Sequence, residues 1–126
     1  PGMSVLHFGF DDENEDNPHR PANLSKDRVV YTGTHDNDTT MGWWESASSE
    51  RKVRIGEVGL AGENACDTLI RLAMESQSPL AIVPIQDVLQ LGTKSRMNTP
   101  GKATGNWSWK FEWPELLAGN WNVFKR

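Results

Sequence analysis

Three short runs in this chain are apolar with almost no polar interruption: Val5–Phe10, Val29–Tyr31 within Arg28–Thr32, and Leu80–Ile85. None alternates apolar with polar residues, as a strand with one wet face would. Continuous runs rich in β-branched and aromatic residues suit strands covered on both faces, the condition of a parallel sheet backed by helices. The stretches between the second and third runs carry the helices such a sheet needs. Thr39, Thr40 and Gly42 offer helix-start chemistry ahead of Trp43-Trp44-Glu45, and Ser48–Val58 follows as a helix. Glu63–Ser76 is the clearest helix, with Ala65, Cys66, Leu69, Ile70 and Ala73 at helical spacing on one face. Cys66 on that stripe reads as a small buried hydrophobe. Pro84 marks the end of the third strand or a bulge, and Asp87 is a candidate cap for a short turn, Gln86–Leu89. Strand, helices, strand is the repeat of a parallel α/β sheet.

Three strands make neither a covered open sheet nor a closed barrel. A complete (β/α) barrel has eight strands and about 250 residues, against the 126 residues here. The chain is therefore expected to be the end of a larger catalytic domain, entered in mid-structure at Pro1. Between the first two strands lies Asp11–Asp16, five acids in six residues. It lacks the glycine and the ligand spacing of an EF-hand calcium loop and reads as a solvated surface loop. The prolines of Asn17-Pro18-His19-Arg20-Pro21 continue that loop. Trp113-Pro114-Glu115-Leu116-Leu117 reads as a helix start, and Gly119–Arg126 as a disordered tail.

The chemistry gathers where the second strand ends. Gly33 removes a side chain, and His35, Asp36, Asn37 and Asp38 follow at once. Polar groups just past the C-terminal end of a parallel strand are the usual layout of an active site in an α/β enzyme. Three uses of these groups compete. Asp36-Asn37-Asp38 is an Asp-x-Asp motif, which could hold a divalent cation against a nucleotide-sugar diphosphate. Asp36 and Asp38, two apart, could be a hydrolase acid/base pair at roughly 6.5–7 Å if the backbone were extended. Nothing local supplies the apolar pocket that keeps one of them protonated. Or His35 and Asp36 could grip sugar hydroxyls while bond breaking happens elsewhere, since hydrogen bonds that strengthen as a sugar ring flattens contribute to rate.

Composition narrows the partners. A net charge of −4 argues against a general nucleic-acid binder. No apolar run is long enough to span a bilayer, and Pro1–Leu6 has no signal-peptide features. The single cysteine cannot form an intrachain disulfide, which fits a reducing, cytoplasmic setting. Six tryptophans serve either as packing or as stacking platforms for sugar rings, so a non-catalytic sugar-binding module using them is a third class of function.

Tyr31-Thr32-Gly33-Thr34-His35-Asp36-Asn37-Asp38-Thr39-Thr40-Met41-Gly42-Trp43-Trp44 resembles the signature of the amylomaltases, the 4-α-glucanotransferases that include the plant disproportionating enzyme. Val5–Phe10, Asn17-Pro18, Leu80–Leu89, Arg96–Gly101 and Gly105-Asn106-Trp107 resemble that family in the same order, so the likeness covers residues 1–113. The resemblance implies the C-terminal part of a (β/α)8 TIM barrel of the α-amylase type, with residues 1–113 its last three strands and their helices and residues 114–126 a C-terminal tail. It implies a retaining enzyme acting on maltooligosaccharides or starch-type α-1,4-glucans without a cofactor or metal. The Asp nucleophile and Glu acid/base would lie upstream of this sequence, leaving the chain alone inactive. Asp36 matches the carboxylate that stabilises the transition state through the donor sugar's 2- and 3-hydroxyls. His35 matches its hydroxyl-binding neighbour, Asn98 a sugar-contacting residue on the loop after the last strand, and Asp11 a weaker substrate-binding candidate at the end of the first. Asp38 falls back to a structural role. Ala22 stands where the family pattern usually has a His. A cut barrel also exposes strand edges and apolar faces, so the isolated chain is expected to self-associate.

Overall fold

The computed structural model describes residues 2–125 of the chain. Its centre is a three-stranded parallel sheet, β1 Gly2–Val5, β2 Arg28–Tyr31 and β3 Leu80–Ile82, in that spatial order. The helices are α1 Thr40–Glu45, α2 Ser49–Val58, α3 Ala65–Glu75, α4 Ile85–Val88 and α5 Trp113–Leu117. Strands that follow one another around the sheet without a reversal of order make a sector of a barrel, not the crevice of a doubly wound sheet.

Register sets which residues share a face. Ser4, Val30 and Ala81 lie side by side, as do Met3, Val29 and Leu80, and Val5, Tyr31 and Ile82. Alternation puts the first set on one face and the other two on the opposite face. The first face is closed: Val30 is buried in a core with Leu6, Phe10, Leu24, Trp43, Ile55, Leu69 and Ala73. The opposite face is largely open, with Met3, Leu80 and Ile82 at 46%, 52% and 39% exposure.

The first apolar run departs from expectation. β1 stops at Val5, and Leu6–Phe10 is a 3-10 helix. A short, almost wholly apolar run does not by itself distinguish strand from tight helix. Here the tight turn sends Leu6 and Phe10 into the core and His7 flat against the Trp43 ring, 4.5 Å between centroids. Gly9 permits it, because a Cβ there would collide with the His19 carbonyl. The third strand likewise ends at Ile82, and Pro84 stands at the N-cap of α4. Asp87 does not cap its own turn. It is buried and accepts from Thr32 Oγ1 and from both the backbone N–H and the hydroxyl of Thr40.

The helices follow local chemistry. Thr39 caps α1, Ser48 caps α2, and α3 opens with a reciprocal capping box between Asn64 and Asp67. Cys66 on α3 is buried, and burial pushes its thiol pKa well up. Asp11–Asp16 is exposed throughout, as a solvated loop should be. The loop behind it is tied to the end of β1: Ser4 Oγ donates to Pro18 O at 2.8 Å, and Val5 N–H donates to His19 Nδ1 at 2.9 Å. Gly2 N–H bonds to Asp27 O on the β2 side, so by alternation Val5 N–H faces the other edge, where His19 fills it. Instead of a disordered tail after Gly119, Trp121–Phe124 is a 3-10 helix packed on α3, and Trp121 Nε1 donates to Leu116 O at 2.9 Å. Among the described residues no helix is long and apolar enough to cross a membrane.

Candidate functional site

β2 ends in a turn held shut from within. The Asn37 side-chain oxygen accepts from the Thr34 N–H and hydroxyl, both at 2.8 Å, and Asn37 N–H returns to Thr34 O at 3.1 Å. This Asx-type closure is why the chain reverses between strand and α1, and it projects His35 and Asp36 from the tip. Gly33 starts the turn because a Cβ there would sit 2.6 Å from His7 Cε1.

A second loop closes on the same tip. Arg96 Nη2 donates to the Asp36 carbonyl at 2.8 Å, and Asn98 N–H donates to the His35 carbonyl at 3.2 Å. Asn98 Nδ2 then donates to Asp36 Oδ1 at 2.7 Å, 62 residues away in sequence, and His35 Nε2 lies 3.3 Å from the same oxygen. The Trp107 ring tilts over the His35 ring at 5.1 Å. Trp107 is reached through a left-handed backbone, φ 57°, after the positive-φ glycines Gly101 and Gly105. That conformation is uncommon for a bulky residue and recurs at ligand sites. Trp107 N–H is fastened to Met97 O at 2.7 Å. Tyr31, Thr34, His35, Asp38, Met97 and Trp107 are among the residues lining a cleft of about 370 Å³. Asp36 and Asn98 stand outside that lining, and the side chains of His35 and Asp36 are 55% and 51% exposed.

Three sequence-chosen residues, His35, Asp36 and Asn98, are thus brought together. Asp11 is not with them. Its carboxylate pairs with Arg51 at 2.6 Å, and Arg51 lies over the Trp43 ring. Asp38 points elsewhere as well: Oδ1 accepts from Thr39 N–H and Oδ2 from Thr93 Oγ1, each at 2.8 Å. Gly42 gives it room, since a Cβ there would lie 2.6 Å from Asp38 Oδ1. Asp36 and Asp38 therefore serve different partners. Among the described residues no cluster of three or more His, Cys, Asp or Glu side chains is arranged to hold a metal. Sequence reasoning passed over Arg96. Its only signal was a guanidinium two residues before Asn98 on a loop without an acid of its own.

Burial controls the support beneath. His7 is enclosed, and its pKa falls to about 3 through desolvation and the nearby Arg51 charge. His19, lowered by burial and by Arg28, keeps its Nδ1 lone pair for Val5.

A family model described as 4-alpha-glucanotransferase matches residues 1–116. The chain is 49% identical over 120 residues to the 4-alpha-glucanotransferase of Synechocystis sp., covering 93% of this chain and 23% of that protein. It is 47% identical over 112 residues to the chloroplastic/amyloplastic enzyme of Solanum tuberosum, covering 87% and 19%. It is 45% identical over 119 residues to that of Thermus thermophilus, covering 87% and 24%. Its fold superposes on amylomaltase from Streptococcus agalactiae in complex with acarbose, with a TM-score of 0.88 and 32% identity over 98% of this chain and 25% of that one. The chain thus spans about a fifth to a quarter of the relatives it matches.

Proposed function

The chain belongs to the 4-alpha-glucanotransferase family, and we propose that it supplies the sugar-holding part of a retaining site that transfers α-1,4-glucan segments between maltooligosaccharides. Asp36 is the transition-state-stabilising carboxylate, and His35 and Asn98 are its partners toward the sugar. The Asp nucleophile that forms the glucosyl-enzyme and the Glu that acts as acid and base come from outside these residues. A sugar 4-hydroxyl then takes the glucan in place of water. Asp11 has no part in sugar contact on this proposal, being committed to Arg51.

The observation that carries the proposal is the state of the Asp36 carboxylate. One oxygen is loaded by Asn98 and His35, while Oδ2 accepts no hydrogen bond from the described residues. A carboxylate so anchored keeps lone pairs for the neighbouring hydroxyls of one sugar ring. Bonds to the 2-hydroxyl strengthen as the ring flattens toward an oxocarbenium ion, so the same contact binds and accelerates. Trp107 adds an apolar wall beside it. We place the chain in the cytoplasm, a placement supported by its single cysteine, unpaired and buried.

The test is a chimaera in which residues 1–116 replace the matching segment of the Thermus thermophilus enzyme. Disproportionation of maltotriose is the readout. The unmodified segment should sustain transfer, and Asp36→Asn should lower kcat by about a hundredfold or more with little change in Tm. A folded Asp36→Asn chimaera at near-normal rate would remove Asp36 from the chemistry. Glucose release from maltotriose by the purified 126-residue chain would overturn the assignment of bond breaking to residues outside it.

A further inference from the structure

Asp87 is buried, desolvation pushes its carboxyl above the usual carboxylate range, and sugar chemistry gives it no task. Its partners are specific. Oδ2 accepts from Thr32 Oγ1 at 2.7 Å and Thr40 Oγ1 at 2.6 Å, and Oδ1 accepts from Thr40 N–H at 2.8 Å. Thr32 immediately precedes Gly33, and Thr40 immediately follows Thr39. One carboxylate from the end of a third element therefore grips both ends of the turn that carries His35 and Asp36. The contacts cross 55 and 47 residues of sequence, so no local turn preference can substitute for them.

We propose that Asp87 is a positioning residue: by bridging Thr32 and Thr40 it fixes the span of the Gly33–Thr39 turn and so the placement of His35 and Asp36. The bridge continues downward. Three donors converge on Asp87 and favour its ionised form against the desolvation that raises its pKa; as a carboxylate it only accepts, so the Thr40 hydroxyl gives its one proton to it. The His7 Nε2 that lies 2.9 Å from Thr40 Oγ1 must then be the donor in that contact. His7 is held as the Nε2–H form, its Nδ1 buried without a partner and its Cε1 edge beneath Gly33. Proton order thus runs from His7 through Thr40 to Asp87, and the ring it orients forms the floor of the turn. The value of this clamp to transfer rests on the assignment of Asp36 and His35 as the sugar-holding pair, but the clamp itself is measurable without sugar.

The experiment uses the isotopically labelled 126-residue chain. Ring nitrogen shifts should show His7 as the Nε2–H tautomer; an Nδ1–H ring would overturn the proton order and with it the anionic bridge. Amide exchange is then compared across variants. Asp87→Ala should speed exchange at residues 34–39 by about tenfold or more, the effect of losing charge-assisted hydrogen bonds, and leave α3 protected. Asp87→Asn retains one acceptor and the side-chain shape, so it should restore part of that protection. Unchanged exchange in the turn, or an equal rise in α3, would reduce Asp87 to general stability and refute positioning. If Asp87→Ala does not fold, Asp87→Asn against the unmodified chain decides by the same comparison. Because no sugar is present, failure here leaves the role of Asp36 standing, and an inactive role for Asp36 leaves the clamp standing.

Discussion

The two faces of the three-stranded sheet are built from similar apolar side chains and end in opposite states. On one, Val30 is fully enclosed by α3, α1 and the 3-10 turn through Leu69, Trp43, Leu6 and Phe10. On the other, Leu80 and Ile82 remain 52% and 39% exposed. Apolar character alone therefore does not say which face has found its partner; register and alternation do. The difference also bears on the candidate site. His35, Asp36 and Asn98 gather beyond the end of β2, with the enclosed His7 ring beneath Gly33 and an open cleft beside His35. A site held to a fixed geometry needs the first, and the sugar-holding role proposed above needs the second.

Four measurements can break or sharpen that contrast. The largest effect should come from acid. His7 has its pKa lowered from 6.5 to about 3 on the closed side, so the unfolded chain binds the proton that the folded chain refuses. Its contribution is whole above pH 6.5 and is lost at up to about 1.4 kcal/mol per pH unit as pH falls toward about 3. Urea unfolding at stepped pH should show this slope, and His7→Gln should flatten it. An unchanged slope would mean that His7 is not shielded. Next, Leu69→Ala in the enclosed core should cost about 2–5 kcal/mol of unfolding free energy. Gly33→Ala, pressing a methyl on His7, should cost about 1–3 kcal/mol and shift the Trp43 and His7 ring resonances. The smallest is Ile82→Ser on the open face, within about 0.5 kcal/mol, while sedimentation should show weaker self-association. Were Ile82→Ser to cost as much as Leu69→Ala, the open face would already be covered and the contrast would fail.

Much of this was legible in the residues. The α3 stripe and its start fell where periodicity put them, because a long amphipathic segment carries its own evidence. The second strand, the polar residues after it and the helix start at Thr39 were legible because their signals are local, whereas the Asn37 closure of the turn came only with the structure. Leu6–Phe10 was not legible, since a short, almost wholly apolar run has no period to expose it, and the deciding contact, Gly9 against His19, lies in a later loop. Asn98 entered only through family resemblance. Arg96 offered only its nearness to Asn98, and the true partners of Asp87 had no local signal, as each acts across dozens of residues. Asp11 was a candidate of the family resemblance; its pairing with an arginine from α2 was not legible, since the two lie 40 residues apart.

The bond from Asn98 to Asp36 has a bearing on protein engineering. Loop exchange between relatives normally treats each connection as a cassette. Here the connection after β3 and the turn after β2 are joined by Asn98 to Asp36, Asn98 to His35 and Arg96 to Asp36. A donor loop lacking both side chains would leave the carboxylate unsteered even with every residue of its own turn intact. The transferable cassette is therefore the pair of loops together, and a library that varies one should hold Arg96 and Asn98 constant.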